Sequence, residues 1–239
     1  MAGKVFLIPV TLGNEDYSSV IPEKVLELIR SLRLFVVEDI RSARRFLRLI
    51  DKQFPIDETT FHELNEHTSE TEIGHYLDPV VNGSDLGIIS EAGLPGIADP
   101  GAKLIFLAHR KKIRVVPSSG PSSIILALIS SGLNGQNFTF NGYLPVKPAD
   151  RAERLRELER KSQDGYAQIF METPYRNQRM LESILETCSR ETQLCIAMDI
   201  TLPTENIRTM AISEWKKNIP SINDHLVVFV LQKNYLAKG

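Results

Sequence analysis

Short apolar runs alternate with amphipathic stretches from one end of the chain to the other. In the first half, strands are expected at Val5 to Val10, Leu34 to Val37, Leu86 to Ile89 and Ile113 to Val116, with a weaker one at Thr59 to Leu64. Between them, helical periodicity covers Pro22 to Ser31, Arg41 to Asp51, Glu70 to Val81 and Ala102 to Arg110. The first helix opens near a proline, and the second turns Phe46, Leu47 and Ile50 inward. Strands separated by helix-length segments are the mark of βαβ units and a mainly parallel sheet.

The pattern changes after Pro117. A small-residue segment, Ser118-Ser119-Gly120-Pro121-Ser122-Ser123, leads into an apolar helix from Ile124 to Ile129. The second half then reads as strand Phe138 to Phe140, helix Ala149 to Lys161, strand Gln168 to Met171 and helix Arg176 to Cys188. Strands at Leu194 to Met198, Ile207 to Ile212 and Leu226 to Val230 follow with little helix between them, which points to antiparallel pairing. The expected fold is therefore two α/β domains, residues 1–117 with a mainly parallel sheet and 118–239 with a mixed sheet.

Composition narrows the class. The chain has 239 residues, 42% hydrophobic and 24% charged, enough to bury a core without disulfides. Cys188 and Cys195 lack the C-x-x-C spacing of a redox or zinc site and read as buried apolar fillers. The N-terminal apolar run is short, ends at Pro9 and reads as a strand, not a signal peptide. No run reaches transmembrane length, so a cytoplasmic location away from the membrane is expected. A net charge of −2 argues against indiscriminate nucleic-acid binding but leaves room for local basic patches. Three clusters exist: Arg41, Arg44, Arg45 and Arg48; Arg110, Lys111, Lys112 and Arg114; and Arg151, Arg154, Arg156, Arg160 and Lys161. In the third, Glu153, Glu157 and Glu159 interleave and suit a solvated helix face.

The candidate chemistry centres on Ser90-Glu91-Ala92-Gly93-Leu94-Pro95-Gly96-Ile97-Ala98-Asp99-Pro100-Gly101. This loop sits where a buried strand gives way to a helix, the place at which open α/β sheets bind ligands. Glycines allow close backbone approach and positive φ, and prolines stiffen the connection. Asp99 with Pro100 reads as an N-cap followed by proline at the first helical position. A well-made strand-to-helix turn explains the loop alone equally well.

The loop resembles A-G-x-P-x-x-x-D-P-G of the tetrapyrrole methylase superfamily, and similar matches run from the first strand to about Arg176. Pro9 to Asn14 resembles P-x-G-N, Glu38-Asp39-Ile40-Arg41 with Arg44 and Leu47 resembles E-D-T-R-x-x-R-x-L, and His62-Glu63-Leu64-Asn65 resembles H-E-x-N. Pro117 to Ser123 is similar to P-x-x-G-P-S-A, Gly142-Tyr143-Leu144-Pro145 to G-F-L-P, and Phe170 to Arg176 to F-Y-E-S-P-H-R. The chain departs from the pattern at Ile40, at Met171 and at Ile200 to Glu205, where the family carries L-T-K-x-x-E.

The resemblance implies an S-adenosylmethionine (SAM)-dependent methyltransferase with its cofactor cleft between the two domains. Within the superfamily the motifs are similar to the branch that methylates a cytidine ribose 2′-hydroxyl in small-subunit ribosomal RNA. By resemblance the cofactor residues are Pro9, Gly13, Glu91, Ala92, Gly93, Leu94, Ile97, Asp99, Ser122, Ser123, Met171 and Thr173. Glu38, Arg41 and Glu172 are candidate catalytic groups. Asp39 near a helix N-cap, and a local Glu172–Arg176 ion pair, are the structural alternatives. Arg41, Arg44, Arg45 and Arg151 are candidate RNA-binding residues, and a homodimer acting on the small ribosomal subunit is expected. Two further readings stay open: a methyltransferase for a tetrapyrrole-like small molecule, and a SAM-binding ribosome assembly factor without catalysis.

Other chemistries fit poorly. His62 and His67 suggest a metal hydrolase, but they are five residues apart, so a helix would turn them to different faces, and no metal site is expected. No G-x-G-x-x-G follows the first strand and no P-loop occurs, which disfavours nucleotide-binding oxidoreductases and the Rossmann-type methyltransferases.

Overall fold

A computed structural model describes residues 2–65 and 67–233. The chain forms two compact units, Met1–Ser122 and Ser123–Gly239.

The first unit is built from β1 (Lys4–Ile8), α1 (Glu23–Ser31), β2 (Leu34–Val37), α2 (Ile40–Ile50), β3 (Thr60–Glu63), α3 (Glu70–His75), α4 (Asp78–Val81), β4 (Leu86–Ile89), α5 (Gly101–Arg110) and β5 (Arg114–Pro117). Its five strands are all parallel, in the order β3-β2-β4-β1-β5. Both faces are covered, because successive residues of a strand point to opposite sides. Phe6, Ile8, Phe35 and Val37 meet Leu26 and Ile29 of α1 and Phe46, Leu47 and Ile50 of α2. Val5, Val36, Leu86 and Ile88 meet Ile73 of α3, Val80 of α4 and Leu104 and Ala108 of α5.

That arrangement creates a switch point. The chain leaving β1 travels towards β2, and the chain leaving β4 travels over β1 to β5 on the other face. Their carboxyl ends are neighbours in the sheet, so a crevice opens between diverging connections.

Two details differ from the sequence reading. The helix expected over Glu70 to Val81 is two helices, because Pro79 offers no N–H and its ring cannot follow an uninterrupted turn. The weaker strand expected at Thr59 to Leu64 is β3, and on it the His62 ring stacks on Tyr76 with centroids 4.6 Å apart. The change of unit falls after Ser122, not after Pro117. The segment between stays with the first sheet, Ser118 N–H donating to the Leu7 carbonyl at 3.1 Å.

The second unit contains α6 (Ser123–Ser131), β6 (Phe138–Tyr143), α7 (Pro148–Ser162), β7 (Ala167–Met171), α8 (Asn177–Thr187), β8 (Gln193–Met198), β9 (Asn206–Ala211), α9 (Ile212–Trp215) and β10 (Val227–Gln232). Its sheet is mixed, in the order β6-β7-β10-β8-β9: β6 and β7 are parallel, and the remaining pairs antiparallel. Leu155 and Leu158 of α7 and Met180, Leu181 and Ile184 of α8 bury the face carrying Phe170, Leu194, Ile196 and Phe229. Cys188 and Cys195 are buried and unbridged, and burial pushes the Cys188 thiol up to about 12.

Candidate active site

Three loops meet at the switch point of the first sheet. Val10, just past β1, donates its N–H to the carbonyl of Gly93, past β4, at 2.9 Å. Gly93 has φ +69°, and a Cβ there would stand 3.2 Å from Leu12 and 3.3 Å from the Pro121 carbonyl. Gly120, past β5, lies flat on Pro9: a Cβ would sit 2.1 Å from the proline Cβ. Glycine is thus required at positions 93 and 120 for the loops to come together.

Asp99 braces the glycine-rich loop from within. Its Oδ1 accepts N–H bonds from Gly96 at 2.9 Å and Gly101 at 2.8 Å, and its Oδ2 accepts from Gly96 at 2.8 Å. It is not the N-cap expected from the sequence. Pro100 occupies that place with helical backbone (φ −70°, ψ −12°), and α5 begins at Gly101. The carboxylate reaches over Pro100 to a first-turn N–H that proline cannot supply. Burial raises the Asp99 carboxyl above its ordinary range, against the pull of these N–H bonds.

Glu38, at the end of β2, is raised in the same direction by burial. The nearby Asp99 and Glu91 charges add to this, and a 3.4 Å bond from Glu91 N–H opposes it. Glu38 and Asp99 line one small hollow with Val36, Leu64 and Ile88. Two half-buried carboxyl groups beside exposed main chain suit a small ligand that carries positive charge. Asp39 is the N-cap of α2, accepting from Ser42 N–H at 2.7 Å, and that bond holds its carboxyl low.

The other expected residues fall into distinct groups. Gly13 (φ +109°), Glu91, Ala92 and Ile97 are exposed around this edge, Leu94 is half-buried, and Pro9 is buried under Gly120. Ser122 ends the first unit, and Ser123 opens α6 in the second. In the second unit Met171 ends β7, with Thr173 two residues on. Glu172 there is an ion-pair partner. Its Oε1 accepts from Arg176 Nε at 2.9 Å and Nη2 at 2.7 Å and from Thr173 N–H at 2.7 Å, while its Oε2 is buried without a partner. This is the geometry of an anchor at the strand end, since its engaged oxygen already accepts charged donors.

Arg41, Arg44 and Arg45 are exposed on α2, with Arg44 over the ring of Phe61 at 5.3 Å. Arg151 is not at a nucleic-acid surface. It is buried, donating from Nε to Ser183 Oγ at 2.9 Å and from Nη1 to the Val146 carbonyl at 3.1 Å. Arg151→Ala is therefore expected to lower stability by about 1–3 kcal/mol, because it removes two hydrogen bonds and the packing of a buried side chain. Urea unfolding would read the loss. Elsewhere in that cluster Glu157 pairs with Arg154 and, at 2.8 Å, with Lys161, as a solvated helix face does.

Sequence reasoning missed Asp199 and His225. They stand at one end of the second sheet, joined by a 2.6 Å bond from carboxylate to imidazole Nδ1. No local pattern marks them, since only the β8–β10 pairing brings them together.

Two α/β units with a glycine-lined switch-point edge suit a small ligand, and by its family this chain is a SAM-dependent methyltransferase. Residues 4–215 match the model of the Tetrapyrrole (Corrin/Porphyrin) Methylases, and the chain belongs to that family. It is 30% identical over 210 residues to a Ribosomal RNA small subunit methyltransferase I of Vibrio cholerae, covering 88% of this chain and 69% of that protein. It is 32% identical over 213 residues to the protein of that name in Pseudomonas aeruginosa, covering 89% and 72%. Among solved structures, the methyltransferase CobJ aligns with a TM-score of 0.63 at 18% identity, covering 97% of this chain and 95% of that one, a likeness of fold alone.

Proposed function

We propose that this chain methylates small-subunit ribosomal RNA at the 2′-hydroxyl of a cytidine ribose. The observation that carries the reading is the triple-loop junction at the first sheet's switch point, in a chain whose relatives bear the ribosomal RNA small subunit name. SAM supplies an electrophilic methyl group on a sulfonium with a good leaving group, so positioning and water exclusion dominate the protein's task. Main-chain atoms of Glu91 to Leu94 and Ile97 to Asp99, with Gly13 beside them, would hold it on the first unit. The Glu38 and Asp99 carboxyls favour its positive charge. Ser122, Ser123, Met171 and Thr173 are further candidates by family resemblance.

Arg41, Arg44 and Arg45 form an exposed row on α2 suited to RNA phosphates. Replacing all three by alanine should reduce the slope of log affinity against log salt by about 2–3. Loss of methylation on ribose-mapped small-subunit RNA after gene deletion is the expected result, and an unchanged map would refute the assignment. A homodimer in the cytoplasm belongs to the same proposal, and sedimentation would test the assembly. Among the described residues no helix is long and apolar enough to cross a membrane.

A further inference from the structure

We propose that Arg44, held over the Phe61 ring, is a stacking platform for an unpaired RNA base; this rests on the RNA reading above. The helix that carries it, α2, has four arginines and no acidic residue between Ile40 and Ile50, in a chain of net charge −2. Arg41, Arg44, Arg45 and Arg48 recur at spacings of three and four, so they share one face, opposite the buried Ala43, Phe46, Leu47 and Ile50. The face lies wholly within the first unit. Its charge suits a polyanion, whose phosphates Arg41 and Arg45 can hold.

Arg44 differs from those two in what lies beneath it. Its guanidinium carbon stands 5.3 Å from the centroid of the Phe61 ring. Phe61 is on β3, the edge strand, in register with Phe35 of β2. The two rings stack with centroids 5.9 Å apart and 19° between their planes. Phe35 is wholly buried and packs in turn against Phe54 at 6.3 Å. The half-buried Phe61 is thus fixed from within, and a cation drawn to a fixed ring loses less freedom when a base settles on it. α2 starts two residues after Glu38, and Arg44 lies about 6 Å along it from Ile40 at the usual helical rise, close to the rim of the candidate site.

The donors of Arg44 are also uncommitted. Among the described residues no side-chain hydrogen bond or ion pair engages Arg41, Arg44 or Arg45. Arg33 provides the contrast: its guanidinium lies 5.3 Å over Phe54, but its Nη1 donates to the Arg30 and Leu32 carbonyls at 2.7 Å. Arg48 donates from Nη1 to the Lys52 carbonyl at 2.6 Å. Those two guanidinium groups serve the chain's own backbone. Arg44 is exposed and presents a planar, weakly hydrated cation on an aromatic shelf. Unpaired RNA is recognised in this way, its bases stacking on aromatic rings or guanidinium planes. In a duplex the bases stack on one another, and the phosphates left to contact need no ring beneath the cation.

The test uses the full chain and fluorescence anisotropy with labelled, unpaired oligocytidylate. A second oligomer of the same length has abasic residues and keeps only the phosphates. Wild type should bind the cytidine oligomer about 5–100-fold more tightly than the abasic one, the range that stacking of a base supplies. Arg44→Lys keeps the charge, so affinity for the abasic oligomer and the salt slope should hold while the preference falls to within about twofold. Arg33→Lys should leave the preference intact. Equal binding of both oligomers by wild type, a preference that survives in Arg44→Lys, or one lost equally in Arg33→Lys overturns the platform and leaves the RNA reading standing. A wild-type chain that binds neither oligomer, nor small ribosomal subunits lacking the modification, overturns the RNA reading with it.

Discussion

Gly120→Val is expected to cost the first unit most of its stability and to abolish SAM binding. A Cβ at position 120 would lie 2.1 Å from Pro9 Cβ and 2.5 Å from Pro9 Cγ, distances no real atoms tolerate. Neither side can give way. The proline ring is rigid and buried, and it directly follows β1, which pairs with β4 and β5. Relief requires pulling the loop after β5 off the loop after β1, which dismantles the junction that the Val10–Gly93 bond completes. Overpacking a tight site usually costs about 1–3 kcal/mol, and here, with backbone displacement added, on the order of 4 kcal/mol. Against a typical total of about 5–15 kcal/mol, that leaves little. Urea unfolding should show the loss, and calorimetry should detect no heat with SAM. Gly74→Ala serves as the control: nothing lies within 4 Å of its Cβ, it sits in α3, and it should gain about 0.5–1 kcal/mol. Wild-type-like unfolding of Gly120→Val would mean that these loops are not packed as described.

Asp99→Ala is expected to weaken SAM binding by about 10–100-fold while costing the fold only about 1–2 kcal/mol. The side chain ties Gly96 N–H to Gly101 N–H, fixing residues 96–101 as one rigid turn. Without it, two donors turn to solvent and the loop must be ordered when ligand arrives. Asp99→Asn separates brace from charge. The amide oxygen can keep the Oδ1 bonds to Gly96 and Gly101, although its NH2 takes the place of the Oδ2 acceptor of Gly96 N–H, so most of the brace survives while the charge is removed. The sign of the pH effect follows from burial. Folded Asp99 and Glu38 both hold protons more tightly than in the unfolded chain. Their contribution is greatest below the ordinary carboxylate range and is lost as pH rises through the raised values. Asp99→Asn should remove part of that slope in a pH series of unfolding midpoints. Equal losses of stability and affinity in Asp99→Ala would reduce the loop to a structural turn.

The chain taught its local structure readily. Strand and helix periodicities stood close to their final places because each is a property of neighbouring residues. Only the details failed: Pro79 split one helix, and Pro100 displaced Asp99 from the cap. The glycine-rich loop was also legible, since positive φ and close approach restrict residue choice at single positions. The Glu172–Arg176 ion pair could be named from the spacing of the two residues, and the structure forms it at the end of β7.

Pattern alone could not say where long side chains end. Arg151 sat in a basic run and looked like a phosphate ligand, yet α7 turns it inward to Ser183, which α8 supplies from thirty-two positions away. Asp199 and His225 carry no mutual signal at a separation of twenty-six residues, and an antiparallel register makes them partners. The sequence by itself determined the run of elements, the two-unit α/β class and the glycine-rich loop, because these rest on short-range sterics and periodic burial. Tertiary structure alone decided the strand order that creates the switch point, the burial that raises Glu38 and Asp99, and the Asp199–His225 pairing. Each of those depends on which distant segments share a sheet edge, and that choice is made by packing of the whole unit.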